Sequence, residues 1–342
     1  MTKAIGCISG GLDSTLAVCL MQKQGIEVVA LHVLHLWRPL SSDAQAKPRA
    51  VRDIEARGVR VETIDATEAD LEIVRHPDHG FGKRMNPCID CRIWTLRQAR
   101  RLMEEEGADF VFTGEVLGQR PMSQHRQALA LVEREAGLED RLLRPLSAKC
   151  LSPALPEREG LVDRGALLGL AGRSRKPQMA LAAEFGVTDY PSPAGGCLLT
   201  DPAFAHRLRE LLEHDEATVA DVELLKVGRH FRLPDGSRVV VGRHHEDNLM
   251  LEPLFRDGDV WLEIADLPGP TTLLRGSASE GNMATAAALT LRYSKARSGE
   301  THPVRASPAG ATPVGGETRL LDACRADEEQ VRRLLITQEN VT

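Results

Sequence analysis

Ala4-Ile5-Gly6-Cys7-Ile8-Ser9-Gly10-Gly11-Leu12-Asp13-Ser14 is the stretch from which the rest of this chain is read. The apolar run Ala4 to Ile8 predicts a buried strand. Ser9-Gly10-Gly11 predicts a sharp turn, and Thr15 to Lys23 a helix. A strand, a glycine turn and a helix start leave free backbone N–H groups and the positive end of a helix dipole aimed at one spot, which is an anion site. The glycines let the backbone approach phosphate oxygens closely. Asp13 and Ser14 add a carboxylate and a hydroxyl at the same turn. The stretch lacks the Gly-x-x-x-x-Gly-Lys-Ser/Thr of a Walker A loop and the Gly-x-Gly-x-x-Gly of a dinucleotide fold. The plain alternative is an ordinary turn with an N-cap serine.

Strands are expected at 27–33, 59–64, 109–113 and 142–146. Helices are expected at 44–57, from Cys91 to Glu106 with a stop at Gly107, at 124–136 and at 175–185. This alternation argues for a parallel sheet covered on both faces. Ligands of such sheets sit beyond the carboxyl ends of the strands, so Thr113-Gly114-Glu115-Val116-Leu117-Gly118-Gln119 should lie near the first loop. Residues 65–87, with His76-Pro77-Asp78-His79-Gly80, read as a long polar loop, and 192–197 as a turn-rich one. Past residue 203 the pattern changes. Two short helices (203–213 and 216–226) precede a hairpin at Asp235-Gly236. Strand-like runs follow at 248–254 and 259–265, then a helix at 281–297 and a surface loop at 298–318. The expected organisation is an α/β domain over 1–205 and a smaller α+β domain over 206–342.

A net charge of −6 argues against a broadly basic nucleic-acid binder, while leaving room for a local basic face. No apolar run reaches the roughly 18–20 residues needed to span a bilayer, and no signal-peptide pattern opens the chain. The expectation is a cytoplasmic protein with no membrane contact. Its seven cysteines then point to metal or redox chemistry rather than disulfides. Cys88-Ile89-Asp90-Cys91 suits zinc, an iron–sulfur centre or a dithiol, and a cysteine at a helix start suits a lowered thiol pKa. Cys197, in Ala194-Gly195-Gly196-Cys197, adds a third thiol, against the plain reading of a packed loop cysteine. Three thiolates leave one position of a four-coordinate site or cubane open. Cys7 and Cys19 read as core, Cys150 as a weaker candidate fourth ligand, and Cys324 has no partner at ligand spacing. His76, His79, His244 and His245 are candidate metal ligands against the more ordinary reading of solvated loops.

Ser9-Gly10-Gly11-Leu12-Asp13-Ser14 resembles the signature of the PP-loop ATP pyrophosphatases, whose fold is a Rossmann-like parallel sheet of the adenine nucleotide alpha hydrolase type. With Cys88, Cys91 and Cys197 the chain is similar to the tRNA-thiolating branch that binds a [4Fe-4S] cluster through three cysteines. Thr113 to Gln119 is similar to the Thr-Gly-Glu-x-x-Gly-Gln stretch of 4-thiouridine synthetases, where 2-thiouridylases more often show Thr-Gly-His. Arg144-Pro145-Leu146 also fits. The resemblance covers about residues 4–200. The N-terminal RNA-binding module and the rhodanese-like tail of the best-known 4-thiouridine synthetases are not seen. The C-terminal region resembles small RNA-binding domains of the fibronectin-binding/NEMF type.

The resemblance implies adenylation of a uridine carbonyl followed by sulfur transfer, with 4-thiouridine favoured over 2-thiouridine as product. Ser9, Gly10, Gly11, Asp13, Ser14, His32, Gly114 and Gln119 would bind ATP, with Mg²⁺ near Asp13. Cys88, Cys91 and Cys197 would hold the cluster, or Zn²⁺, or act as a persulfide and disulfide pair. The partners implied are tRNA and a sulfur donor, either sulfide or a cysteine desulfurase persulfide, and a homodimer is a candidate assembly. RNA contact falls on Arg173, Arg175 and Lys176 and on the hairpin residues Arg229, Arg232 and Arg238, with Arg92 on the helix after the cysteines a weaker candidate. The rival functions are a PP-loop ligase or amidotransferase on a small molecule with zinc, and a non-catalytic RNA-binding or sulfur-carrier protein.

Overall fold

The structure, a computed structural model, describes residues 1–40, 47–190, 197–214, 217–308 and 318–337. It divides into two units. The first runs to Thr200, apart from a short segment beginning at Pro39, and the second begins at Asp201.

In the first unit the alternation of side chains along a strand sorts the core into two layers. On β1 (Lys3–Ile8), Ala4 and Ile8 enter one buried cluster with residues of α1 (Leu12–Lys23). Ile5 and Cys7 enter the other. Both faces are therefore buried, which is why β1 reads as a continuous apolar run. Around it lie β2 (Glu27–Leu34), α2 (Arg49–Glu55), β3 (Arg60–Asp65), α3 (Thr67–Arg75) and α4 (Cys88–Glu106). The unit continues with β4 (Phe110–Thr113), α5 (Arg126–Glu135), β5 (Leu142–Leu143), α6 (Leu155–Arg158) and α7 (Lys176–Glu184). The five strands form a parallel sheet in the order β3-β2-β1-β4-β5. Strand order reverses between β1 and β4, and in open α/β sheets the crevice at that reversal is where ligands bind. Gly6 is required there, since a Cβ on it would come within 2.5 Å of the buried Phe112 ring.

The second unit carries α8 (Pro202–Glu213), α9 (Val219–Leu224), β6 (Arg229–Arg232), β7 (Arg238–Val241), α10 (His245–Leu251), β8 (Val260–Ile264) and β9 (Thr272–Arg275). It ends with α11 (Glu280–Arg292), β10 (Thr301–Pro308), β11 (Arg319–Cys324) and α12 (Glu328–Leu334). Six strands pair antiparallel in the order β11-β10-β8-β9-β7-β6. Met283, Ala286 and Ala287 of α11 join the cluster formed by Phe231, Val239, Leu262 and Leu274. No helix among the described residues is long and apolar enough to cross a membrane.

The main sheet and the Asp235-Gly236 hairpin follow the sequence, and four expectations do not. Residues 65–87 hold α3, because Leu71 and Val74 find the core and the Asp65 carboxylate accepts from the Thr67 N–H at 2.8 Å. Residues 248–254 fall in α10 and a 3₁₀ turn rather than a strand. Periodicity alone does not separate helix from strand in so short an apolar run. Within 298–318, Thr301–Pro308 is a strand between β8 and β11. Its Pro, Ser and Thr content hides an alternation in which Val304 and Ala306 point inward. Finally, α4 starts at Cys88, three residues earlier than expected.

Candidate functional site

The loop after β1 is held open by its own backbone and side chains. Gly10 takes a φ of 75° and packs so tightly that a Cβ would lie 2.8 Å from that of Ala50. The Ser9 N–H donates to Ser14 Oγ at 3.3 Å, and Ser14 Oγ donates to the Gly11 carbonyl at 2.9 Å. Gly11 caps α1 with no side-chain bond, leaving the first-turn amides open to an incoming anion. Opposite, Gly114 touches this turn, and a Cβ there would come within 2.5 Å of Asp13 C and of Ser14 N. Gln119 Nε2 donates to Asp13 Oδ2 at 2.8 Å, while Asp13 Oδ1 and Gln119 Oε1 are buried with no hydrogen-bond partner. Buried polar oxygens of this kind are normally satisfied, so the pair is poised for a ligand. His32 pairs with Ile8 in the sheet register, and its Nδ1–H donates to the Ile8 carbonyl at 3.3 Å. Burial lowers its pKa, so it is a neutral strut beside the loop.

The cysteines lie at the carboxyl edge of the same sheet. Cys88 and Cys91 occupy the first turn of α4, and the Cys88 thiol donates to Asn86 Oδ1 at 2.9 Å. Cys197 opens a turn whose neighbours are tied into this region. The Leu198 N–H donates to the Trp37 carbonyl at 3.4 Å, and the Met85 N–H donates to the Leu199 carbonyl at 3.4 Å. One segment thus bridges the stretch after β2 and the stretch before Cys88. Burial raises the pKa of Cys88, and pushes that of Cys197 up to about 12, with Cys91 and Cys88 further opposing ionisation of Cys197. Residues 191–196, which include the expected Ala194-Gly195-Gly196, lie outside the described residues.

Glu115 joins the two halves. It is 2% exposed and receives Arg92 Nε at 2.9 Å and Arg144 Nε at 3.1 Å, while Thr113 Oγ1 donates to it at 3.1 Å. Burial acts to raise its pKa, but the two guanidinium groups overcome it and leave the carboxyl below its ordinary range. Arg92 follows Cys91, and Glu115 follows Gly114. One ion pair, between the buried Glu115 and the half-buried Arg92, thereby ties the thiol-bearing turn to the turn that touches the Ser9–Ser14 loop. Sequence reasoning set Arg92 among surface cations, and that reading is corrected, because its guanidinium is committed to Glu115.

Two further residues went unnoticed in the sequence. His35 follows β2, and its Nδ1 lies 3.1 Å from both oxygens of Asp70, which is 1% exposed on α3. Cys91 Sγ is 3.9 Å from the same nitrogen. Asp70 came from the segment read as loop, so no local signal marked it. Of the remaining candidates, His79 reaches this region through Asp90, which lies between Cys88 and Cys91 in the first turn of α4. His79 pairs with Asp90 at 2.6 Å and with Glu135 at 3.3 Å. Cys7 and Cys19 are buried core residues, and Cys150 sits beside Gly169.

Arg173 and Lys176 are exposed and Arg175 is half-buried. They are anchored beside the Gly114 turn by the Gly172 N–H donating to the Leu117 carbonyl at 2.7 Å. In the second unit the hairpin cations turn inward. Arg238 is 6% exposed and bonds Asp221, Arg232 Nε donates to Glu210 at 2.6 Å, and Arg229 stacks on the Tyr293 ring at 4.3 Å. Arg232 and Arg238 therefore serve carboxylates of their own unit.

Residues 1–149 match the family model described as thiamine biosynthesis protein (ThiI), and residues 228–331 match the NFACT protein RNA binding domain. A probable tRNA sulfurtransferase of Thermococcus kodakarensis is 26% identical over 179 residues, covering 52% of this chain and 43% of that protein. The tRNA-specific 2-thiouridylase MnmA of Thermus thermophilus is 32% identical over 137 residues, 33% of this chain and 36% of that protein. The chain thus spans less than half the length of these relatives. A solved 4-thiouridine synthetase–RNA complex with bound ATP aligns at a TM-score of 0.38 and 20% identity, over 66% of this chain and 52% of that one.

Proposed function

Starting from residues 1–149 as a PP-loop domain of the tRNA-thiolation family, we propose that this chain thiolates a uridine of tRNA at the expense of ATP, with 4-thiouridine as the product. The observation that carries this reading is the Arg92–Glu115 pair, which couples a phosphate-binding turn to a cysteine-bearing turn. A uridine carbonyl oxygen is a poor leaving group. Its attack on the α-phosphorus of ATP expels pyrophosphate and turns that oxygen into part of AMP. The open amides of α1 and the Ser9–Ser14 turn hold the phosphates and take up charge that develops there. Asp13, held by Gln119, offers its free oxygen to the Mg²⁺ that accompanies the nucleotide. A sulfur nucleophile then attacks the activated carbon and AMP departs.

Cys88, Cys91 and Cys197 fit a three-cysteine [4Fe-4S] centre. The segments that carry them are tied by the Met85 N–H donating to the Leu199 carbonyl, and burial disfavours ionisation of the Cys88 and Cys197 thiols in the absence of a cation that would hold them as thiolates. When bound, such a centre supplies an iron with an open position for sulfide. The chain's own part is to hold the three sulfurs on segments tied to each other and, through Arg92 and Glu115, to the turn that touches residues 9–14. The RNA-binding match over 228–331 supports tRNA as the partner, and Arg173 and Lys176 offer exposed cations beside the nucleotide turn. The resemblance of Thr113–Gln119 to 4-thiouridine synthetases supports the choice of product.

The test is anaerobic incubation of the iron-loaded protein with unmodified tRNA, ATP, Mg²⁺ and sulfide, followed by nucleoside analysis and measurement of AMP. Equal amounts of AMP and 4-thiouridine are expected. Stoichiometric 2-thiouridine would overturn the product assignment, and AMP formation without any thionucleoside would overturn the function.

A further inference from the structure

His35, Asp70 and Cys91 bring an imidazole nitrogen, a carboxylate and a thiol within 4.8 Å of one another. They come from three different elements: the end of β2, the middle of α3 and the first turn of α4. Among the described residues this is the one such group of possible ligands. We propose that these three side chains form a mononuclear site for a divalent cation of zinc's class, distinct from the three-thiol centre and sharing Cys91 with it.

The donor set argues for the class of ion. Nitrogen, oxygen and sulfur together suit Zn²⁺ or Co²⁺, whereas Mg²⁺ and Ca²⁺ take oxygen ligands. Three protein donors leave a fourth tetrahedral position open. Zinc bonds of about 2.0–2.3 Å put tetrahedral donors about 3.3–3.8 Å apart, close to the 3.1 Å between His35 Nδ1 and Asp70 and the 3.9 Å between His35 Nδ1 and Cys91 Sγ. Support behind the ligands is already in place, because the Leu36 N–H donates to Asp70 Oδ2 at 2.7 Å and orients the buried carboxylate. The His35 side chain is 32% exposed, which gives an ion a way in.

His35 Nδ1 stands between the other two donors, 3.1 Å from Asp70 and 3.9 Å from Cys91 Sγ, so one atom of the group already faces both. A doubly charged cation at that place would neutralise both the Asp70 carboxylate and the thiolate that Cys91 becomes as a ligand. Because Cys91 serves both sites, a zinc-class ion and the three-thiol centre exclude each other. Zinc held here would therefore block loading of the cluster.

The test uses the full chain stripped of metal under anaerobic conditions and titrated with Co²⁺, whose visible spectrum reports both geometry and sulfur ligation. The expected result is one Co²⁺ per chain with tetrahedral bands and the charge-transfer intensity of a single thiolate. His35→Ala and Asp70→Asn should weaken Co²⁺ and Zn²⁺ at least about 10-fold, while Cys88→Ser and Cys197→Ser bind as the parent does. Near-ultraviolet circular dichroism checks that Asp70→Asn, which keeps the side-chain shape and its acceptor for the Leu36 N–H, remains folded. Binding that survives His35→Ala and Asp70→Asn but disappears in Cys88→Ser would overturn the proposal, as would a folded parent that takes up no Co²⁺. Iron and sulfide reconstitution of the same variants gives a separate result: loss of visible absorbance in Cys88→Ser and Cys197→Ser tests the three-thiol reading whatever Co²⁺ does.

Discussion

The loop proposed to hold phosphate is one contiguous stretch from Ser9 to Ser14, shaped by its own hydrogen bonds and by Gly10. The thiol region next to it is assembled from pieces of chain around residues 35–37, 70, 85–91 and 197–199. A contiguous site carries its geometry in its local sequence. An assembled one depends on whatever holds the pieces together, so it should fail when distant supports are removed.

Glu115 is the support on which the difference should show most. Glu115→Gln takes from Arg92 its carboxylate partner and leaves Arg144, itself 4% exposed, with Glu133 alone of its two carboxylates. Breaking one side of a buried ion pair costs about 3–5 kcal/mol, measurable as a fall in Cm in urea with unchanged slope. The pH dependence has a definite sign. The Glu115 carboxyl lies below its ordinary range in the folded chain. Its contribution is therefore full above the unfolded pKa of about 4.3 and is lost as pH falls through the folded value. The Glu115→Gln variant should show a flatter loss of stability in acid than the parent.

Gly114→Ala strikes where the two regions meet. Its Cβ would press on the backbone of Asp13 and Ser14, which cannot yield as a side-chain tip can. A displacement of this kind is expected to lower ATP-dependent AMP formation about 100-fold, read with tRNA present and with folding checked by circular dichroism. A parent-like rate would mean that the loop tolerates movement and that its geometry is less local than its own hydrogen bonds imply.

Cys197→Ser against Cys150→Ser sharpens the assembled side. After iron and sulfide reconstitution the first should lose most visible absorbance and thionucleoside formation, and the second should keep both. Equal losses would mean that the ties to Trp37 and Met85 do not select Cys197.

The smallest effect is expected from the surface. Joint replacement of Arg173, Arg175 and Lys176 by Ala should weaken tRNA binding several-fold. The slope of log affinity against log salt should fall by about 0.7–0.9 for each phosphate that is no longer neutralised. Arg238→Ala should instead lower thermal stability, because Arg238 bonds Asp221, a buried carboxylate that Arg256 and Arg275 also contact at 3.0 Å. Burial works to raise the pKa of Asp221, but its bonds to Thr218 and these arginines hold it well below the usual range. If Arg238→Ala reduced tRNA affinity with stability unchanged, the inward reading of the hairpin would be wrong.

The sequence alone determined the parallel sheet and its first loop. Strands buried on both faces read as unbroken apolar runs, and a glycine turn between strand and helix leaves few conformations open. The Asp235-Gly236 hairpin was legible for the same reason: its dihedral demands are met within a few residues. Segments whose structure depends on distant partners were not legible. Thr67–Arg75 is a helix because Leu71 and Val74 find a core, and Thr301–Pro308 is a strand because β8 and β11 flank it. The cysteines were visible as a motif. The His35–Asp70–Cys91 group and the pairing of Arg92 with the buried Glu115 were decided only by the tertiary structure. Charge in a sequence does not say which way it points, and the low-dielectric interior decides which ions must be paired.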